Sequence, residues 1–224
     1  MIVTSKLPTK PLTADDFGVD SVLRTWLVAD GYGLTEDAEE VNLDGYIAYY
    51  KKNHLYLVGN AHLDPVWQWR WQEGSMEAKA TLRSALDRMQ EFPEFRFVCS
   101  SASVYQWVEE FAPEMLEEIK QRIQEGRFTI VGGWHVQPDC NQPSGEGFAR
   151  QSLYAQRYFK ETFGVTAVSG YCVDSFGHCA TIPMILKQSG MDTYIFMRPA
   201  PEEKTMDSDV FEWIAPDGSS VTTY

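Results

Sequence analysis

The sequence predicts an α/β fold in which parallel strands alternate with crossover helices. From residue 54 onward, short apolar runs that suit buried strands alternate five times with longer runs of good helix formers. Polar side chains follow these strands, at the edge where parallel α/β folds bind their ligands. The composition is that of a globular protein, since 44% of the 224 residues are apolar and 23% are charged.

Residues 1–53 differ from the rest of the chain, because acidic residues crowd this segment and basic ones are few. Five of its apolar residues have the spacing of one helix face: Phe17, Val22, Leu23, Trp26 and Leu27. We therefore expect a short acidic helical or irregular arm at residues 1–53, packed on a main domain that spans residues 54–224.

The first two strands are predicted on either side of a long helix. Residues 55–58 form a short apolar run that ends at Gly59, and residues 95–99 form the second run. Between them, residues 75–90 are good helix formers, with Ser75 placed as the N-cap. Strand, helix and strand in this order make the first crossover unit of a parallel sheet.

Glycine and proline residues mark the ends of the remaining elements. Helices are predicted at residues 103–111, 114–124, 145–162 and 182–188, and strands at residues 128–131, 168–173 and 193–197. The last segment differs, because residues 210–214 and 220–224 flank an Ala-Pro-Asp-Gly sequence that is typical of a hairpin turn. We therefore expect parallel strands followed by an antiparallel hairpin.

Charge and hydropathy argue against several classes of partner. The net charge is −13 and the basic residues form no cluster, so nucleic acid and membranes are not expected as partners. No stretch approaches the roughly 20 apolar residues of a spanning helix, and residues 1–13 lack the apolar core of a secretory signal. We expect a cytoplasmic protein with four reduced cysteines, and homo-oligomer formation is left open.

The segment His62-Leu63-Asp64 follows the first predicted strand. In an extended segment, residues two apart point the same way, so the imidazole and the carboxylate can approach one cation together. Zinc accepts both ligand types. The alternative is a histidine that is hydrogen-bonded to a neighbouring acid, without a metal.

Three tryptophans lie within the next few residues: Trp67, Trp69 and Trp71. The apolar faces of sugar rings stack on indole, so an aromatic loop beside carboxylates indicates carbohydrate binding. The alternative is a packed corner beneath the loop. We expect both roles, with Trp67 as the best ligand candidate because it is nearest to Asp64.

Asp174 lies at the end of the fourth predicted strand. A carboxylate next to a buried apolar strand is costly unless it is paired or bound to a metal. The alternative is an N-cap for the following helix. Together with His62 and Asp64, Asp174 gives a set of one histidine and two carboxylates.

These motifs together resemble glycoside hydrolase family 38, the zinc α-mannosidases. The resemblance runs from about Leu55 to Arg198 and is closest to the bacterial and cytosolic branch. It rests on three ordered motifs: Ala-His-Leu-Asp-Pro-Val-Trp at residues 61–67, Gly-Gly-Trp at 132–134 with Pro-Asp at 138–139, and Asp-Ser-Phe-Gly-His at 174–178.

The resemblance implies an incomplete seven-stranded β/α barrel that cleaves terminal α-D-mannosidic bonds with retention. It implies one zinc ion, held by His62, Asp64 and Asp174, with Asp174 also acting as the catalytic nucleophile. It implies that a mannose-containing oligosaccharide or α-mannoside is contacted by four further residues: Trp67, Phe176, Arg198 and Asp139. We expect a structural role for His178.

The chain departs from the family downstream of the matched motifs. The family's fourth zinc ligand, a histidine, and its acid/base aspartate normally lie beyond the position of residue 224. We therefore expect these residues to form a truncated catalytic domain that is inactive alone. One alternative is a sugar-binding remnant without turnover. Another is a zinc-dependent carbohydrate deacetylase, although no Asp-Asp pair follows the first predicted strand and the His-x-x-x-His pattern is missing.

Overall fold

The computed structural model describes residues 59–199, 203–204 and 210–223, and the backbone of four short strands before residue 59. Those strands pair antiparallel in the order β1-β4-β3-β2: β1 (Ile2–Val3), β2 (Glu39–Leu43), β3 (Tyr46–Lys51) and β4 (His54–Tyr56). The arm was predicted to be helical or irregular, but β2 and β3 pair as strands where it is described. The tyrosines and isoleucine of β3 favour a strand. The helix predicted near residues 17–27 lies outside the described residues.

Parallel strands and helices alternate from residue 59 onward, as predicted. The strands are β5 (Gly59–Asn60), β6 (Phe97–Cys99), β7 (Phe128–Ile130), β8 (Ser169–Cys172) and β9 (Thr193–Phe196). The helices are α1 (Trp71–Glu91), α2 (Ala102–Phe111), α3 (Pro113–Gln124), α4 (Gly145–Phe163) and α5 (Ile182–Gln188). The mixed α/β class is therefore confirmed. None of the helices in the described part of the chain has the length and apolar character needed to cross a membrane.

The predicted hairpin is also confirmed, and it joins the sheet. Strands β10 (Phe211–Ile214) and β11 (Ser220–Thr223) pair antiparallel, and β11 pairs parallel with β9. The described strands of the main domain form one sheet in the order β5-β6-β7 and another in the order β10-β11-β9-β8. The Gly132 amide donates to the Ser169 carbonyl at 2.8 Å, which links the end of β7 to β8. The seven-stranded barrel stays a prediction.

Two element boundaries differ most from the prediction. Gly59 was expected to end the first strand, but it is the first residue of β5, where an added Cβ would stand 2.9 Å from the ring of Phe95. Helix α1 begins at Trp71 rather than after Ser75. The Glu73 carboxylate accepts a hydrogen bond from the Arg70 backbone amide at 2.9 Å. This contact caps the first turn of the helix, so the helix begins earlier than predicted.

The core of the described residues consists of two main clusters and a smaller one. The first core cluster lies between helices α1 to α4 and strands β6 and β7, and includes Leu82, Tyr105, Phe128 and Phe159. The second core cluster lies beneath the ends of β8 and β9, and includes Trp134, Cys140, Cys172 and Tyr194. The third contains one side chain from each of four neighbouring segments of the sheet: Val98, Val131, Tyr171 and Ile195.

Candidate active site

The carboxyl ends of β5 and β8 bring three of the predicted site residues together. His62 lies two residues after β5, and Asp174 lies two residues after β8. The His62 Nε2 atom is 3.3 Å from Asp64 Oδ1 and 3.7 Å from Asp174 Oδ2. One imidazole nitrogen thus faces two carboxylates. The two carboxylates come from segments far apart in the sequence, which meet at the carboxyl ends of β5 and β8.

Arg198, beyond the end of β9, occupies the other side of Asp174. Its Nε atom donates to Asp174 Oδ1 at 2.9 Å. Its guanidinium carbon lies 4.6 Å from the centroid of the Phe176 ring, in a cation–π contact. Asp174 does not cap a helix, since the next helix begins at Ile182 with Thr181 as its N-cap. Its carboxylate is instead shared between Arg198 and His62.

A cavity of about 190 Å³ lies at this edge and is bordered by His62 and its two carboxylate partners, together with Gln137, Asp139 and Phe176. Phe176 is 78% exposed, so most of its ring is open to solvent. Asp139 also shapes the loop, because its Oδ1 accepts from the Asn141 and Gln142 amides at 2.8 and 2.9 Å. Its contact with a sugar stays a prediction.

The tryptophan loop divides into a packed and an exposed part. The Trp69 indole N–H donates to the Asp64 carbonyl at 3.3 Å, which ties the loop to the residue predicted to bind a metal. Trp67 packs edge to face on Trp69, with ring centroids 5.5 Å apart, and is 66% exposed. It is not among the residues that line the cavity. Its predicted role as a sugar platform therefore also stays a prediction.

Gln137 was not predicted, yet it connects three strand ends beside the cavity. Its side-chain nitrogen donates to Ser100 Oγ at 3.0 Å, and its backbone amide donates to Ser101 Oγ at 3.1 Å. Its side-chain oxygen accepts from the Val173 amide at 3.1 Å. Two serines directly after a buried strand were the signal that could have found this network, since polar residues at that edge need partners.

The cysteines are free thiols, as predicted, and three of the four are buried. The sulfur atoms of Cys140 and Cys172 lie 3.5 Å apart, well beyond the roughly 2.05 Å of a disulfide bond. The hydrogen bond between the two thiols lowers the pKa of Cys140. Cys172 borders the cavity, and Cys140 follows Asp139 directly, so this thiol pair lies immediately beneath the site.

The predicted metal ligands contact one another directly in this structure. Within the described ranges, no three His, Cys, Asp or Glu side chains form a ready-made coordination site. The donor types of His62, Asp64 and Asp174 nevertheless fit zinc, which binds imidazole nitrogen and carboxylate oxygen. Both carboxylates approach the same imidazole nitrogen, which is the convergence that a shared cation requires.

Comparison with protein families decides the classification. The model of the glycosyl hydrolases family 38 N-terminal domain matches residues 52–224. The chain belongs to this family. A second model, of the type III R-M EcoP15I C-terminal domain, matches residues 17–64. That shorter match covers less than a quarter of the chain and does not show membership of another family.

Relatives within the family are much longer than this chain. Alpha-mannosidase G of Dictyostelium discoideum is 33% identical over 174 residues, which are 77% of this chain and 16% of that protein. The alpha-mannosidase of Saccharomyces cerevisiae is 32% identical over 173 residues, 76% of this chain and 16% of the relative. The chain therefore spans about a sixth of their length.

Solved structures agree with the fold. The crystal structure of an alpha-mannosidase from Enterococcus faecalis V583 superposes with a TM-score of 0.62. The match covers 74% of this chain and 19% of that one, at 19% sequence identity. At this identity, the likeness shows a shared fold.

Proposed function

We propose that the chain supplies the first part of the active site of a zinc-dependent, retaining α-mannosidase. The observation that carries the proposal is the convergence of His62, Asp64 and Asp174 at the carboxyl ends of β5 and β8, with Arg198 paired to Asp174. The proposed substrate is the terminal mannose of an α-mannoside or a mannose-containing oligosaccharide. The names of the two relatives support this substrate class.

His62, Asp64 and Asp174 would hold the zinc ion. The fourth ligand that the resemblance implies, a histidine, would come from chain beyond residue 224, and the zinc could expand its coordination to take a sugar hydroxyl. When bound, the metal would supply a template for sugar hydroxyls and a positive charge near the reaction. Arg198 leaves the second carboxylate oxygen of Asp174 on the side of His62, where a ligand oxygen is needed.

Asp174 would act as the nucleophile on the anomeric carbon. The attack gives a covalent glycosyl-enzyme, and water then releases the sugar with overall retention. Arg198 would hold the carboxylate in position during both steps. A retaining enzyme needs a second carboxyl group about 5–5.5 Å from the first, to protonate the leaving oxygen. We propose that this acid comes from chain beyond residue 224.

The exposed aromatic rings would hold the sugar. Phe176 borders the cavity, and Trp67 lies on the neighbouring loop beside Pro65, which also borders it. Exposed large rings beside carboxylates suit a ligand that has both hydroxyl groups and apolar C–H faces. This combination favours a sugar over a purely apolar or purely charged ligand.

The first test removes and restores the metal in the longest product of the gene. The protein is stripped with a chelator and assayed on an aryl α-mannoside before and after zinc is added. We expect zinc to restore hydrolysis, and Asp174→Asn to lower kcat by at least about a thousandfold. Asp87→Asn, which changes an exposed carboxylate on α1, is the matched control and should stay near the parent.

The alternatives give different results in the same assay. Sugar binding without turnover would favour a non-catalytic remnant, and release of acetate from an acetylated sugar would favour a deacetylase. Absence of zinc binding would overturn the proposed ligand set. The anomer formed first, read by NMR, tests the stereochemistry, because β-mannose as the initial product would contradict retention.

A further inference from the structure

A chain of hydrogen bonds leads from the second core cluster to Asp174. The Tyr194 hydroxyl lies 2.8 Å from His178 Nδ1, and His178 Nε2 lies 2.7 Å from the Arg198 carbonyl oxygen. Arg198 Nε then donates to Asp174 Oδ1 at 2.9 Å. The proposed function uses the last contact of this chain but gives no task to His178 or Tyr194.

The partners fix where the protons lie. The Arg198 carbonyl oxygen only accepts, so His178 Nε2 must carry a proton. In the neutral ring, Nδ1 then has a lone pair and no proton, so the Tyr194 hydroxyl donates to it. Tyr194 is fully buried, and burial raises its pKa well above the ordinary value, which keeps the hydroxyl protonated. His178 is thereby held in a single tautomer.

The surroundings also fix the plane of the imidazole ring. Its centroid lies 5.5 Å from that of Tyr194, 5.1 Å from that of Phe196 and 6.2 Å from that of Trp213. Tyr194 and Phe196 belong to β9, whose last paired residue is Phe196. Arg198 lies two residues beyond that point, where the strand ladder no longer holds its backbone. The hydrogen bond from His178 therefore holds the Arg198 backbone beyond the end of the paired strand.

We propose that His178 and Tyr194 are positioning residues for the nucleophile. Tyr194 fixes the tautomer of His178, His178 fixes the backbone of Arg198, and Arg198 is thereby kept on Asp174 and over Phe176. This inference rests on the proposed function, because it assigns a purpose to an arginine that contacts the nucleophile. Orientation matters at this point, since misplacing a reacting group by about 1 Å can cost roughly a hundredfold in rate.

Two amide substitutions of the same residue separate positioning from packing. In His178→Gln, the side-chain nitrogen reaches about as far as Nε2 and can still donate to the Arg198 carbonyl. In His178→Asn, the amide reaches only as far as Nδ1, so the contact with Arg198 is lost. We expect Asn to lower kcat roughly 10- to 100-fold with little change in KM, and Gln to recover most of the loss.

The kinetic comparison is made per folded molecule in the longest gene product. If His178 only fills space, both amides lower the amount of folded protein and leave kcat per folded molecule equal. Equal kcat values for the two variants would therefore overturn the proposal. A rise in KM with kcat unchanged would also contradict it, since that pattern indicates loss of uniform substrate binding.

A spectroscopic reading tests the proton assignment without any turnover. In the ¹⁵N NMR spectrum of the chain, His178 is one of four histidines and is assigned by its absence in His178→Gln. We expect a proton on Nε2 and a hydrogen-bonded, unprotonated Nδ1. Tyr194→Phe should shift the Nδ1 resonance and leave the Nε2 proton in place. A proton on Nδ1, alone or in a doubly protonated ring, would overturn the proposal even if the α-mannosidase assignment holds.

Discussion

The first and second core clusters are held together in different ways. The first is packed from apolar side chains of helices α1 to α4, and its buried tyrosine hydroxyl donates to a backbone carbonyl within the cluster, from Tyr105 to Cys99 at 2.8 Å. In the second, the buried Tyr194 hydroxyl donates to a side chain, His178, whose other nitrogen contacts the backbone beside the site.

This difference assigns different tasks to the two regions. Apolar burial is non-directional and stabilises the fold wherever it occurs. A buried hydrogen-bond network costs free energy when any partner is missing, but it fixes a single arrangement of its members. The first core cluster therefore supplies stability to the scaffold, and the second supplies orientation to Asp174 and Arg198.

The largest expected effect tests the first half of this comparison. Phe159 on α4 is fully buried against Tyr105, with ring centroids 5.7 Å apart. Phe159→Ala should lower the free energy of unfolding by about 3–5 kcal/mol, measured by urea denaturation of the chain. Leu153→Ala on the same helix changes a side chain that is 62% exposed, and should cost under about 0.5 kcal/mol. Similar losses for the two would contradict the assignment.

The fold was largely predictable because glycine and proline residues mark where many of its elements begin and end. Gly164 ends α4 in a left-handed conformation with φ +75°, and Pro113 opens α3 at a position that needs no amide donor. The two boundaries that differ most depend on distant or competing contacts. Gly59 is required by the approach of Phe95, and Glu73 starts α1 ahead of the expected N-cap Ser75.

The candidate site was predictable where strand ends alone determine it. His62, Asp64 and Asp174 were predicted to lie together because ligands bind at the carboxyl ends of parallel strands. In the structure, both carboxylates lie within 3.7 Å of the His62 Nε2 atom. Gln137 could not be placed in this way. Its partners Ser100 and Val173 lie 37 and 36 residues away in the sequence, so its role exists only after the strands have assembled.

Two tyrosines offer a matched pair for the second half of the comparison. Tyr105 and Tyr194 are both fully buried, and each hydroxyl donates at 2.8 Å. Tyr105→Phe and Tyr194→Phe should each lower the free energy of unfolding by about 0.5–1.5 kcal/mol, because each removes one hydrogen bond made by a buried hydroxyl. In the longest gene product, only Tyr194→Phe should lower kcat, by several-fold. A similar loss of kcat in Tyr105→Phe would show that stability, rather than orientation, governs the site.

The smallest expected effect concerns an ion pair that covers the first core cluster. Arg83 on α1 donates to both carboxylate oxygens of Glu118 on α3, at 2.7 and 3.1 Å, and this contact lowers the pKa of Glu118. A carboxyl group whose pKa is lower in the folded state stabilises the fold above its unfolded pKa. That stability is lost as the pH falls through the folded value.

Glu118→Gln should therefore lower the free energy of unfolding by about 0.5–1 kcal/mol near neutral pH, a modest loss because the pair is partly exposed. The difference from the parent should shrink as the pH falls below about 4.3, the ordinary glutamate pKa. Urea denaturation across this range measures it, with Glu117→Gln on the exposed side of α3 as the control. A difference that stays constant with pH would mean that Glu118 contributes through packing. The charge of this ion pair would then add nothing to the stability of the first core cluster, which would widen the contrast with the hydrogen-bonded cluster beneath the site.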